Sequence, residues 1–258
     1  MKQWITLGFF LIFGFFKTSG YAQSLIIGTV PANPPFSSQV DNKFHFMGFE
    51  IALMNQICNQ LHVTCSYQPL NPNDVLSYLA DGRIDMAIAS IPIPNQEHVG
   101  LIFSSPYLPS NTQFMTLKTT KIYKLADIRN KVVGVRRQVL DAGKTYANFV
   151  KKMYSGFVTI KEYSTIPDLL AALNSGEIDV LFSNYWALEY WYYNHITLYQ
   201  LIGDPIAIGN GYGLLTTEKH KDLIAQINEI ISNMMNDGTY KKIYDQYFGH
   251  FLAQKSSQ

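Results

Sequence analysis

Two apolar rhythms alternate along this chain. Short unbroken runs, Ile26-Ile-Gly-Thr-Val30, Met86-Ala-Ile-Ala89 and Val132-Val-Gly-Val135, have the length and flanks of buried strands. Elsewhere apolar positions recur every three or four residues, as on one face of a helix. Ile51, Met54, Ile57 or Cys58, and Leu61 form one such stripe, with Glu50 near its start, where an acidic residue suits the helix dipole. Leu223, Ile227, Ile230, Ile231 and Met234 form another, and Gly238 parts it from Tyr240–Phe248, so residues 222–248 predict a closing helix pair.

One pattern occurs twice. Residues 74–90 align without gaps on 168–184, with identity at Asp74/Asp168, Leu76/Leu170, Leu79/Leu173, Gly82/Gly176, Ile84/Ile178 and Asp85/Asp179. Each copy predicts a short helix stopped by a left-handed glycine, after which Ile-Asp leads into an apolar strand. A glycine-bearing strand precedes each copy, at 26–30 and 132–136. Strand, helix, strand is the order of a parallel βαβ unit. The expected fold is therefore α/β, with two lobes, each a mostly parallel sheet flanked by helices, joined by two hinge crossings. Chance recurrence of a common local unit is the alternative. Asn111–Leu117 alternates like a strand and is assigned to one crossing, and glycine-rich Ile206–Leu215 to the return. The expected division is lobe one at 25–112 plus 213–250, lobe two at 113–212, and a polar tail at 251–258. In open α/β sheets, ligands sit beyond the carboxyl ends of strands. Those ends carry Val30 and Ser90 in one half, Arg136 and Asn184 in the other.

The N-terminus changes the setting. Lys2, an uncharged run Ile5–Phe16, then Gly20 and Ala22 describe a secretory signal peptide over residues 1–22, cleaved after Ala22. A retained anchor is the alternative, although the run is short for a span of about 20 residues. No cysteine stands there to carry a lipid. The full chain has 20 cations against 19 anions, and processing removes Lys2 and Lys17, so nothing favours nucleic acid or an anionic membrane as partner. The two cysteines, Cys58 and Cys65, point in an exported chain to a disulfide, with two buried thiols as the alternative.

Several segments together resemble a known family. Gly48-Phe-Glu-Ile-Ala-Leu-Met-Asn-Gln-Ile-Cys-Asn-Gln-Leu61 resembles the signature of extracellular solute-binding proteins of the polar amino-acid type, receptors of ABC importers, departing from it at Ala52. Leu79–Asp85, Phe103–Tyr107, Ile128–Val135 and Asn236–Tyr244 resemble family segments in family order, and the likeness covers about Leu25 to Gly249. The spacing of Cys58 and Cys65 resembles the disulfide of the arginine-, lysine/arginine/ornithine- and histidine-binding members. The resemblance implies a periplasmic monomer that captures a small polar solute, expected to be a basic amino acid, by closing two lobes and docking on an inner-membrane permease. It implies no cofactor and no metal.

Within that likeness the expected pocket departs from the family. Ala89–Glu97 matches the segment that lines the cleft with serines and an arginine for the ligand carboxylate. Here Ser90 keeps one hydroxyl, Ala89 and Pro92 replace others, and Glu97 reverses the charge. Asn184 stands where an acid usually holds the ammonium. The loop after the second glycine-bearing strand is Arg136-Arg-Gln-Val-Leu-Asp141, with Gln138 for a glycine. Val30, Asn33 and Pro72 stand where an acid and two aromatics are frequent. The expected ligand set is Asn33, Phe36 as a cleft wall, Ser90, Pro92, Glu97, Arg136, Arg137, Asp141, Asn184 and Tyr185. Arg136 or Arg137 would take a carboxylate, and Glu97 and Asp141 cationic groups. Being consecutive, the two arginines face opposite ways on a continuing strand, so at most one enters the cleft. Each residue also has a plainer reading: Glu97 as a solvated turn, Asp141 as a helix start, Ser90 and Asn184 as caps, and the aromatic run Tyr185–Tyr193 as packing.

Other functions remain in view. A peptide fragment, polyamine or organic cation is one alternative ligand class, and a receptor that has lost its transport ligand is another. A sensing domain would adjoin a membrane span and signalling module, which this chain lacks. No hydrolase or metalloenzyme motif is present. A cyclohexadienyl-dehydratase-like enzyme on the same fold is the enzymatic alternative, with Glu97 and Asp141 as acid and base, and non-enzymatic binding is the expectation.

Overall fold

The structure is a computed structural model that describes residues 24–255, so the expected signal peptide lies outside the described residues. The first unit opens with β1 (Ser24–Thr29) and a small antiparallel sheet of β2 (Ala32–Asn33), β3 (Ser37–Gln39) and β4 (Phe46–Met47). It continues with α1 (Phe49–Leu61), β5 (Thr64–Pro69), α2 (Val75–Ala80), β6 (Met86–Pro92) and β7 (Leu101–Phe103). The chain crosses at 104–110 into β8 (Asn111–Leu117), β9 (Val132–Arg136), α3 (Thr145–Met153), β10 (Thr159–Tyr163), α4 (Ile166–Asn174), β11 (Val180–Asn184), α5 (Tyr185–Asn194) and β12 (Tyr199–Ala207). It returns at 208–211 to β13 (Tyr212–Thr217) and closes with α6 (Lys221–Asn236) and α7 (Thr239–Lys255).

The strands form two five-stranded mixed sheets, in the orders β5-β1-β6-β13-β7 and β10-β9-β11-β8-β12. In each, three strands pair in parallel and the remaining two pairings are antiparallel. Central strands are buried on both faces. Along β6, Met86 and Ile88 join the core under α1, α6 and α7, while Ala87, Ala89 and Ile91 join the core under α2. Along β11, Val180 and Phe182 face the α3 side and Leu181 the α4 side.

The repeated sequence has a repeated structural cause. The Asp85 carboxylate accepts from the Ile26 amide at 2.8 Å, and Asp179 does the same for Val132, also at 2.8 Å. The aspartates' own amides bond back to the carbonyls of Ile26 and Val132. Their carbonyls accept from Thr216 on β13 and Thr116 on β8, both at 2.6 Å. The preceding isoleucine fills the space that the strand glycine leaves. A Cβ on Gly28 would stand 2.7 Å from Ile84 Cδ1, and one on Gly134 would stand 2.3 Å from Ile178 Cδ1. Gly82 and Gly176 end the helices with φ of 66° and 76°, the left-handed region that glycine enters without steric cost.

Three differences from the sequence reading concern boundaries. Asn111–Leu117 is a strand within the second sheet, and the crossing precedes it. Most of Ile206–Leu215 pairs in β12 or β13, which leaves 208–211 as the return. The expected tail from 251 is shorter than supposed. The last helix continues to Lys255 and Phe251 is buried, because its ring packs on Trp186 of α5. Cys58 and Cys65 are joined, tying the last turn of α1 to the start of β5.

Candidate functional site

The two units meet where the carboxyl ends of β1, β6, β9 and β11 converge, and a buried polar chain runs between them. Glu50, in the first turn of α1, is fully buried. Its Oε1 accepts from the Ser90 amide at 2.6 Å, from Ser90 Oγ at 3.0 Å and from the Tyr107 hydroxyl. These bonds hold Ser90 at φ 50°, a left-handed conformation that costs a non-glycine residue about 1–3 kcal/mol. Ser90 Oγ accepts from Asn33 Nδ2 at 3.0 Å, and Asn33 Oδ1 accepts from Arg136 Nη1 of the other unit at 2.7 Å. Burial raises the Glu50 carboxyl above its ordinary value, against the pull of the Tyr107 and Ser90 donors and of the Arg136 cation. Burial also raises the hydroxyls of Tyr107, Tyr146 and Tyr212, and the last two stand 3.5 Å apart across the units.

Beside this chain lies a cavity of about 180 Å³ between the units. Pro92, Ile93, Pro94 and Asn95 line it from the first, Gln138, Leu140, Asp141 and Thr145 from the second, and Ile208 and Gly209 from the return crossing. Asp141 is its one charged side chain among the described residues, and Asp141 Oδ2 accepts from Thr145 Oγ1 at 3.0 Å. Neighbouring Val139 and Leu140 bury in the first unit's core with Val30, Val75 and Ala89, so this loop of the second unit is seated on the first.

The expected ligand residues fall into groups. Asn33, Ser90 and Arg136 meet in the buried chain, while Pro92 and Asp141 meet in the cavity. Glu97 reaches neither. Beyond Pro92 and Pro94 the chain turns outward, leaving Glu97 exposed along a different groove of about 630 Å³ with Glu218 and Lys221. Arg137 donates to Asn73 of the first unit at 3.1 Å and pairs with Glu162 at 3.1 Å. β9 ends at Arg136, which is buried, whereas the Arg137 side chain is partly exposed. Phe36 is not a cleft wall but the centre of an aromatic cluster with Phe49, Tyr212 and Phe248. Asn184 caps α5, its Oδ1 accepting from the amides of Trp186 and Ala187, while its buried Nδ2 has no hydrogen-bond partner. Tyr185 packs against Trp186 in the core beneath α7.

Sequence reasoning missed Glu50 as a central group, together with Tyr107, Tyr146, Tyr212 and Thr145. The one available signal was an acidic residue amid the apolar run Phe49–Leu53, which the sequence reading assigned only to the helix dipole. Its amide is met by Phe36 O and that of Phe49 by Pro35 O, so the loop, not a side chain, caps α1 and sets the inward aim of Glu50.

Comparison with known proteins now has a geometry to explain. The family model of bacterial extracellular solute-binding proteins, family 3, matches residues 25–250, and the chain belongs to that family. Among curated relatives, an arginine-binding periplasmic protein of Mannheimia haemolytica is 27% identical over 93% of this chain and 96% of its own. An L-cystine-binding protein of Escherichia coli is 26% identical over 88% of this chain and 83% of its own. Among solved structures, an arginine transport-system periplasmic binding protein of Legionella pneumophila superposes with a TM-score of 0.82 and 35% identity, covering 88% of this chain and all of that one. These relatives are named for binding, not catalysis. The chain is a solute-binding protein with the two-lobed α/β fold, and the two units are its lobes.

Proposed function

We propose that this chain is the periplasmic solute-binding component of an ABC importer and that its solute is an amino acid with a cationic side chain. Export would use residues 1–22, removed after Ala22, and the processed monomer would deliver its solute to an inner-membrane permease. The observation that carries the solute class is the inter-lobe cavity in which Asp141 is the one charged side chain among the described residues. A carboxylate at the wall of a small cavity between the lobes favours a cation and opposes an anion. Gln138 and Asn95 add amide groups, and Thr145 fixes one oxygen of Asp141. The names of the relatives support the same class, since several of them bind arginine, lysine or histidine.

Calorimetry on the processed protein with arginine, lysine, ornithine and histidine, and with glutamine and cystine as neutral controls, tests this. A basic amino acid should bind more tightly than the neutral ones. Asp141→Asn should weaken that binding tenfold or more, about 1.4 kcal/mol or above. Equal affinity of wild type and Asp141→Asn for the preferred solute would refute the reading.

A further inference from the structure

Arg136 is a buried cation that leaves its own lobe. It stands at the end of β9, is 3% exposed, and its Nη1 donates to Asn33 Oδ1 at 2.7 Å in the first lobe. Everything beyond that bond belongs to the first lobe as well. Asn33 passes the contact to Ser90, and Ser90 to the Glu50 carboxyl group. Taken without Arg136, the first lobe presents a pocket with an outward carbonyl acceptor on Asn33 and a buried carboxyl group behind it. A carbonyl acceptor with a carboxyl group relayed behind it suits a planar cation.

We propose that the first lobe holds a guanidinium site and that Arg136 is its tethered occupant, a built-in ligand that closes the two lobes without a solute. An intramolecular cation competes at high effective concentration, so the closed form is populated before any solute arrives. The exchangeable solute then engages the Asp141 cavity and does not drive the whole of closure. The inference does not depend on which solute that cavity takes, because it concerns a bond the protein makes with itself.

Small-angle scattering on the processed protein without solute is the test, comparing wild type, Arg136→Met and the double variant Arg136→Met/Asn33→Ala. Methionine keeps much of the apolar stem. Wild type should already be compact, with added arginine or lysine changing its radius of gyration little, and Arg136→Met should be more extended. Methylguanidine should then return Arg136→Met to the compact form. The double variant, lacking one charge-assisted acceptor, should need about tenfold more. An extended, solute-closed wild type overturns the proposal even if the variants fail to fold. So does an Arg136→Met protein as compact as wild type, or one that responds to methylguanidine no better than the double variant. Unchanged amino-acid affinity in Asp141→Asn with these scattering results intact would sink the solute reading alone, and lost affinity in Asp141→Asn with an extended, solute-closed wild type would sink this one alone.

Discussion

Glu50 shows how one side chain organises a binding cleft without reaching solvent. Its Oε1 gathers two donors from Ser90 and one from Tyr107, and Oε2 is buried without a hydrogen-bond partner. Removing the acceptor strands all three donors, and an unsatisfied buried group costs about 1–3 kcal/mol. Glu50→Ala should therefore be severely destabilised, whereas Glu50→Gln keeps an accepting oxygen and should fold. The two forms should differ in pH response. Burial raises the folded carboxyl above its ordinary value of 4.5, so the native state holds the proton more tightly than the unfolded chain. That contribution to stability is full below the unfolded value and is lost as pH rises through the folded one. Denaturant titrations from pH 4.5 to about 8 should show wild type losing stability relative to Glu50→Gln. Parallel curves would mean that Glu50 ionises as freely folded as unfolded.

Among the elements, the repeated glycine strand and Ile-Asp turn form a single packing device used in both lobes. The aspartate ties its backbone and side chain to the neighbouring strand while the isoleucine occupies the glycine's absent side chain. A methyl group at Gly134 would stand 2.3 Å from Ile178 Cδ1 and 2.7 Å from Leu169 Cδ1. Gly134→Ala should cost about 1–3 kcal/mol through overpacking. Adding Ile178→Val removes the nearest clashing atom, so the double variant should be destabilised by less than the sum of the two single changes. Additive losses in thermal denaturation would show that the strand, not the isoleucine, sets the cost. The device was legible as spacing, since Gly28 to Ile84-Asp85 repeats as Gly134 to Ile178-Asp179. The antiparallel threonines that complete it, Thr116 and Thr216, were not, because one precedes its repeat in the chain and the other follows.

For the molecule as a whole, the lobes are joined by more than their crossings. On α5, Trp186 packs against Phe248 of α7 with ring centroids 4.6 Å apart and joins the first lobe's core. Leu188, Trp191 and Tyr192 of the same helix pack on the second lobe's core. One helix thus shares its apolar faces between lobes, which couples their unfolding. Trp186→Ala should cost about 3–5 kcal/mol. It should also split a single calorimetric transition into two, since each lobe retains its own sheet and core. A single sharp transition in the variant, with equal calorimetric and van't Hoff enthalpies, would place the coupling elsewhere.

The sequence by itself determined what depends on local order: the period of each apolar stretch, the glycines that end helices, the doubled strand-helix-strand unit and the pairing of Cys58 with Cys65 across one short loop. Family likeness marked Asn33, Ser90, Arg136 and Asp141 as cleft positions, but it could not say which of them touch. Arg136 and Asn33 lie 103 residues apart, and their bond depends on how one sheet faces the other. The outward path of Glu97 beyond two prolines, the inward aim of Glu50 and the burial of Phe36 were decided the same way. A side chain's direction past the end of a strand is set by what packs against it, and that packing exists only once distant segments have met.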